Sequence, residues 1–192
     1  MALRIGIQHD LDGLAREIGK LAAREQEKTI AAAMNKAGAK ALTTAKREAS
    51  RILGVKQKDI ARGSQGRKMY LFRANPRQLN VEVRAFGRAF NLTRFNATPA
   101  GNGMMATVMG KVRRVPGTFR MNKAGQPIMR RKGAARFPLT QIWGASAADS
   151  FRTKTVQDAV VGRFEKELPV EYARAFTRTI TMIDRRRRGG RR

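Results

Sequence analysis

Met104–Gly144, MMATVMGKVRRVPGTFRMNKAGQPIMRRKGAARFPLTQIWG, decides how this chain folds. Thr107-Val108-Met109 and Ile128-Met129 are apolar cores flanked by Gly and Lys/Arg, the pattern of short strands. They predict one strand over Ala106–Val115 and a second over Pro127–Arg131. Between them Val115-Pro116-Gly117-Thr118-Phe119 reads as a corner and Asn122-Lys123-Ala124-Gly125 as a turn. Asn, Gly and Pro accept the dihedrals that reverse a chain. The segment closes on Arg136-Phe137-Pro138-Leu139 and Ile142-Trp143-Gly144. Charge sets the region apart: residues 60–148 hold 17 Lys/Arg and one acid, Glu82. A sheet that basic packs against copies of itself only at a cost unless an anion lies nearby.

Upstream, Gln78–Phe86 alternates Leu79, Val81, Val83 and Ala85 with Asn80, Glu82 and Arg84, a strand from a sheet with one wet face. Phe90–Phe95 repeats the pattern, and Thr98–Gly103 is a loop by composition. Tyr70-Leu71-Phe72 is a short apolar run, Gly63–Gly66 breaks what precedes it, and Lys56–Arg62 suits one or two helical turns with Ile60 inward. Ile30, Met34, Ala37, Ala41, Ala45, Ala49 and Ile52 form a helical stripe that stops at Gly54, a natural C′ residue. Asp10 caps an earlier pattern of Leu11, Leu14, Ile18 and Leu21, with a break expected near Arg24–Lys28. Ala2–Gln8 alternates as a short edge strand or arm.

Downstream, Ala145–Ser150 links to a second helical region. Val156, Val160, Phe164 and Leu168 share one face; Pro169 interrupts, and Val170, Ala173, Phe176 and Ile180 are expected to continue in a second or kinked helix. Residues 185–192, six Arg and two Gly, have nothing to bury and are expected to be disordered free in solution. The chain thus divides into an arm (1–9), a helical region (10–54), a basic sheet domain (55–148), a second helical region (149–184) and the tail. The class is α+β: an antiparallel sheet of about four to six strands packed by the two helical regions.

Composition narrows the chemistry. Net charge is +27 and the pI is near 11.8, in the range of nucleic-acid partners. There is no cysteine, which excludes disulfides, zinc–thiolate sites and cysteine nucleophiles. The longest run without Lys, Arg, Asp or Glu, Phe95–Gly110, is too short and polar to span a bilayer, and no signal-peptide pattern opens the chain. No membrane partner is expected. His9 has no nucleophile or carboxylate at a recognisable spacing. The fourteen acids are dispersed, which does not suit a metal site. Glu165, Glu167 and Glu171, beside Lys166 and Arg174, read as a solvated helix face. Gly101-Asn102-Gly103 lacks the Lys-Ser/Thr of a phosphate-cradling loop. No catalytic, cofactor or metal-binding residue is assigned, and an enzyme is not expected.

Basic clusters are left. Arg113-Arg114, Arg130-Arg131-Lys132 and Arg185-Arg186-Arg187-Arg188 are the candidates for phosphate contact, of the salt-sensitive kind that carries no sequence information. Phe119 and Phe137 flank two of them but are expected to fill the core. No major-groove-reading helix motif is present.

The order Leu92-x-Arg94-Phe95, Val115-Pro116-Gly117-Thr118-Phe119, Gln126-x-x-Met129-x-Arg131 and Arg136-Phe137-Pro138-Leu139-x-x-Ile142-Trp143-Gly144-Ala145-Ser146 resembles the minor tail protein Z family of long-tailed bacteriophages, relatives of the tail-completion proteins. The residues that carry the resemblance are Leu92, Arg94, Phe95, Pro116, Gly117, Phe119, Arg136, Pro138, Leu139, Trp143 and Gly144. It covers roughly residues 28–180. Thr118 stands for Ala, Phe137 for Leu, Trp143 for Tyr and Ala145 for Pro, and the Arg tail is an addition. What it implies is a virion protein made in the bacterial host cytoplasm and built into the neck, where tail meets head. Its implied partners are copies of itself in a six-fold ring, the tail terminator, tail tube or head–tail connector proteins, and DNA through backbone contacts. The alternative is a basic protein of a cellular ribonucleoprotein such as the ribosome, which explains the charge but not the order of motifs.

Overall fold

The computed structural model describes residues 2–7, 23–61, 69–121 and 126–189. The expected helix through Leu11–Leu21, His9, Gly63–Gly66 and the turn at Asn122–Gly125 lie outside the described residues. The class is α+β, as the sequence predicts. Instead of one sheet of four to six strands, however, the described residues form eleven strands distributed over four small sheets. The chain separates into two compact units, here the helix unit (4–45, 70–84, 157–192) and the sheet unit (1–3, 46–69, 85–156).

Strand β1 (Ala2–Ile7) is an edge of a three-stranded sheet ordered β1-β3-β2, with β2 over Met69–Phe72 and β3 over Val81–Phe86. In β3 the predicted alternation holds: Val81, Val83 and Ala85 are buried, and Glu82 and Arg84 face partly outward and pair at 2.7 Å. Helix α1 (Ala23–Leu53) buries Ile30, Met34, Ala37, Ala41, Ala45, Ala49 and Leu53, while Ile52 is only half-buried. The Ala stripe permits close approach. A methyl on Gly38 would come within 2.7 Å of Val81 Cγ1 and 3.0 Å of Leu71 Cδ1. Beside it Asn35 brackets the backbone of Ala74, donating to its carbonyl at 2.9 Å and accepting from its amide at 2.8 Å.

Helix α4 (Lys154–Gly189) runs unbroken through Pro169, where two helices or a kink are expected. Proline removes one helical hydrogen bond, the one owed to the carbonyl of Glu165. Both residues lie on the exposed face, where water can serve that carbonyl. The buried stripe therefore keeps its phase, continuing Val156, Val160, Phe164, Leu168 with Tyr172 and Ala175, and leaving Val170 and Ala173 outside. The helix also includes residues 185–189, which the sequence assigns to a disordered tail. Arg is a good helix former, and extending an existing helix costs far less than nucleating one.

Glu171, only 3% exposed, and half-buried Glu167 are not a solvated face; of the three, Glu165 alone is exposed. The Lys40 ammonium donates to Glu167 at 2.5 Å and Glu171 at 2.8 Å, and Arg163 and Arg174 close on the same two carboxylates at 2.8 Å each. The hydrogen bond from Lys40 holds both carboxyls below their ordinary pKa, and those two bonds, that to Glu167 first, hold the ammonium above its own. The hydroxyls of Thr29 and Thr179 meet at 2.8 Å.

In the sheet unit α1 ends as expected at Gly54 (φ 75°), whose amide donates to Ser50 at 3.0 Å, and a short helix α2 (Gln57–Ala61) turns Ile60 fully inward. The predicted strand Ala106–Val115 is a hairpin instead. Strand β6 (Gly103–Val108) pairs antiparallel with β7 (Lys111–Pro116) through a turn in which Met109 (φ 53°) and Gly110 (φ 73°) are both left-handed. Thr98–Gly103 is likewise no loop: β5 (Thr98–Ala100) returns through Gly101-Asn102 to pair with β6. Phe90–Phe95 gives only β4 (Ala89–Asn91) before a 3₁₀ turn over Leu92–Phe95.

The corner at Val115–Phe119 is where the chain changes sheets. Gly117 (φ 69°) donates its amide to Asn102 at 2.8 Å, and the Thr118 hydroxyl donates to Val115 at 2.6 Å and accepts from the Met104 amide at 3.0 Å. Strands β8 (Thr118–Arg120), β9 (Ile128–Arg131) and β10 (Leu139–Gln141) then form an antiparallel sheet with β9 central. Strand β11 (Trp143–Ser146) pairs with β4 and leads into α3 (Ala147–Phe151). Ser146 and Asp149 form a reciprocal capping box. Burial pushes the Asp149 carboxyl up, but the bonds from the Ser146 amide and hydroxyl outweigh it and hold the group below its usual range.

Candidate nucleic-acid interface

The segments that carry the family resemblance come together in the sheet unit. Asn91 Oδ1 accepts from the amides of Thr93 (3.0 Å) and Ile128 (3.2 Å), the Leu92 amide donates to Ile142 (3.0 Å), and the Ile142 amide to Ile128 (3.0 Å). Leu92 and Phe95 are buried, and Phe95 meets Phe90 edge-on at 6.4 Å. Gly144 must lack a side chain, because a methyl there would collide with the Phe95 ring. Arg94 donates to Asp59 at 2.9 Å, so it is a structural cation. Trp143, by contrast, stands 46% exposed.

The candidate phosphate contacts do not form the clusters that their adjacency in sequence suggests. Successive residues of a strand point to opposite faces. On β9, Arg130 lies on the face of Ile128, opposite Thr118 and Thr140; Arg131 lies on the other face with Met129, opposite Leu139. Arg113 and Arg114 divide in the same way on β7, opposite Ala106 and Met105. Arg185–Arg188 belong to α4 in the helix unit, with Arg185 and Arg188 exposed. What the fold does bring together is a row of exposed cations along the free edge of β7 (Lys111, Arg113, Arg114) and another on β9 and the loop after it (Arg130, Arg131, Lys132, Arg136). None of these seven has an ion pair among the described residues.

Phe119 is half-buried and Phe137, expected in the core, is 65% exposed. Residues 132–138 are exposed throughout, closed by the Lys132 amide on the Pro138 carbonyl at 3.2 Å, so no core lies within reach of Phe137. Each ring carries a guanidinium instead, Arg131 5.7 Å from the Phe119 centroid and Arg136 5.8 Å from that of Phe137. For Phe137 the adjacent Arg136 was the available signal, outweighed by the general preference of Phe for interiors; Arg131, twelve positions from Phe119, left none.

The sheet unit as a whole holds 21 Lys/Arg and 3 Asp/Glu. Its acids are already engaged: Glu48 with Arg47 and Arg51, Asp59 with Arg94, and Asp149 with Ser146 and Arg152. Among the described residues no group of three His, Cys, Asp or Glu is placed to hold a metal, and no helix is long and apolar enough to cross a membrane. The arrangement offers exposed cations in two rows, with aromatic rings beside the β9 row. No protein-family model, curated protein or solved structure matches the chain.

Proposed function

We propose that this chain is a structural component of a bacteriophage virion, a tail-completion protein that works as a ring of copies in the neck. It meets neighbouring tail or connector proteins and contacts the DNA that passes. The observation that carries the proposal is the single hydrogen-bonded assembly made by the segments resembling minor tail protein Z, from Asn91 through Ile128 to Ile142. The motif segments, spread over some fifty positions, thus adjoin one another in the sheet unit, as pieces of one family core would.

Further support comes from charge. Exposed cations without carboxylate partners repel one another, and a nearby polyanion removes that cost. Lys and Arg contacts to phosphate, screened by salt and indifferent to sequence, would attract and position a duplex without holding it fast. No bond need be made or broken, and no side chain is assigned a catalytic role.

The decisive experiment is location. Antibody or affinity labelling of the full chain in the producing cells, followed by particle purification and electron microscopy, is expected to place several copies in a closed ring at the head-proximal end of the tail. Co-sedimentation with ribosomes and absence from particles would replace this proposal with the ribonucleoprotein alternative. A single copy per particle would remove the ring.

A further inference from the structure

We propose that the hairpin of β9 and β10, with the loop between them and Trp143 at the start of β11, binds single-stranded nucleic acid through base stacking on Phe137 and Trp143. This rests on the polyanion reading above and adds a ligand class to it. Isolated exposed apolar residues are common and need no explanation. Here two large aromatics, 65% and 46% exposed, flank one three-residue strand. They are six residues apart, at most about 20 Å of extended chain. Half-buried Phe119, Met129 and Leu139 continue an apolar surface along one face of the same sheet, and Arg131 lies on that face over Phe119.

Charge and exposure together select the occupant. Arg136 stands 5.8 Å from the Phe137 ring, Arg131 and Lys132 precede it on the same strand and loop, and no acid lies in the sequence between Arg84 and Ala148, so an acidic or phosphate-bearing chain is attracted and a basic one, including a second copy of this hairpin, is repelled. A duplex would satisfy the cations but leave both rings in water, since its base faces are hidden by stacking. A single strand offers phosphates to the arginines and base faces to Phe137 and Trp143. The loop is closed by the Lys132–Pro138 bond and is exposed throughout, so bases can approach Phe137 without unfolding anything.

Trp143 is the only tryptophan in the chain and reports on its own site. An oligothymidylate added to the full protein is expected to quench its emission, whereas a duplex of the same length should bind without doing so. Phe137→Ala and Phe137→Leu should weaken oligothymidylate binding roughly 5- to 150-fold, the range for losing one stacked base. Duplex affinity and the salt dependence should not change. Because Phe137 is exposed, both variants keep the fold, which circular dichroism checks. Equal affinity for both polymers with no effect of either substitution would overturn the inference and leave the DNA-contact proposal standing. If neither polymer binds, both fall together, and an acidic protein becomes the partner of these side chains.

Discussion

The two units handle positive charge in opposite ways. The helix unit holds 20 Lys/Arg but also 11 Asp/Glu, and where its helices meet, Lys40, Arg163 and Arg174 converge on Glu167 and Glu171. The sheet unit holds a similar number of cations and three acids, and leaves β7 and β9 with exposed cations that have no ion pair among the described residues. The same residue type is thus cohesive in one place and outward-looking in the other. What separates them is whether a carboxylate lies within reach, not how many arginines the segment contains.

The largest expected effect concerns the unpaired cations. If six to ten phosphates are engaged, raising salt from 50 to 200 mM should lower duplex affinity by about 10³- to 10⁵-fold. Replacing Arg130, Arg131 and Lys132 with Gln should flatten the plot of log K against log salt by about 0.9 for each phosphate no longer neutralised. Since Arg130 and Arg131 face opposite ways, the single substitutions should act unequally on a rigid duplex. Equal effects, measured by fluorescence anisotropy, would mean that the strand is gripped on both faces. An unchanged slope in the triple variant would show that these side chains meet protein or solvent.

Of intermediate size, Gly144→Ala should destabilise the sheet unit by about 1–3 kcal/mol, because the Phe95 ring that it displaces is fully enclosed. Urea denaturation measures this. A neutral result would mean that the ring can shift, and that the joint among the motif segments is looser than its hydrogen bonds imply.

The smallest effect sharpens the other side of the comparison. Glu167 and Glu171 have lowered pKa values in the folded chain, so the stability they give is present above the ordinary carboxylate pKa of 4.5 and is lost as pH falls through and below it. Lys40, raised above 10.5, contributes fully below that value and loses its contribution as pH rises beyond it. Thermal melts across pH should show both limbs, and Glu171→Gln should flatten the acid limb. An acid limb unaltered by that substitution would mean that the carboxylate is not exchanging its proton for Lys40.

Periodicity was legible where one face is buried. The Ala stripe of α1, the alternation in β3 and the face of α4 up to Leu168 all follow from it. Turns were legible only when their residues advertised them. Gly117 did, but the β6–β7 reversal puts methionine in a left-handed conformation, so Ala106–Val115 looked like one strand. Helix α3 could have been found, since Ser146 and Asp149 have capping-box spacing, though the box is usually recognised by Glu. Lys40 could not have been matched to Glu167 and Glu171, because 127 and 131 positions separate them in sequence and no local pattern records the pairing. The division of Arg130 from Arg131 needed only the pleat of a strand, once the strand was granted.

The free edge of β7 has a bearing on assembly. A six-residue strand with one edge unpaired among the described residues is an invitation to zip up with its like, and natural proteins discourage this with charge. Lys111, Arg113 and Arg114 would be brought close to their counterparts on a second β7, and like charges opposed across strands disfavour pairing. If copies of this chain assemble as proposed, the charge on that edge disfavours fusion along it, and the seam between copies is expected elsewhere.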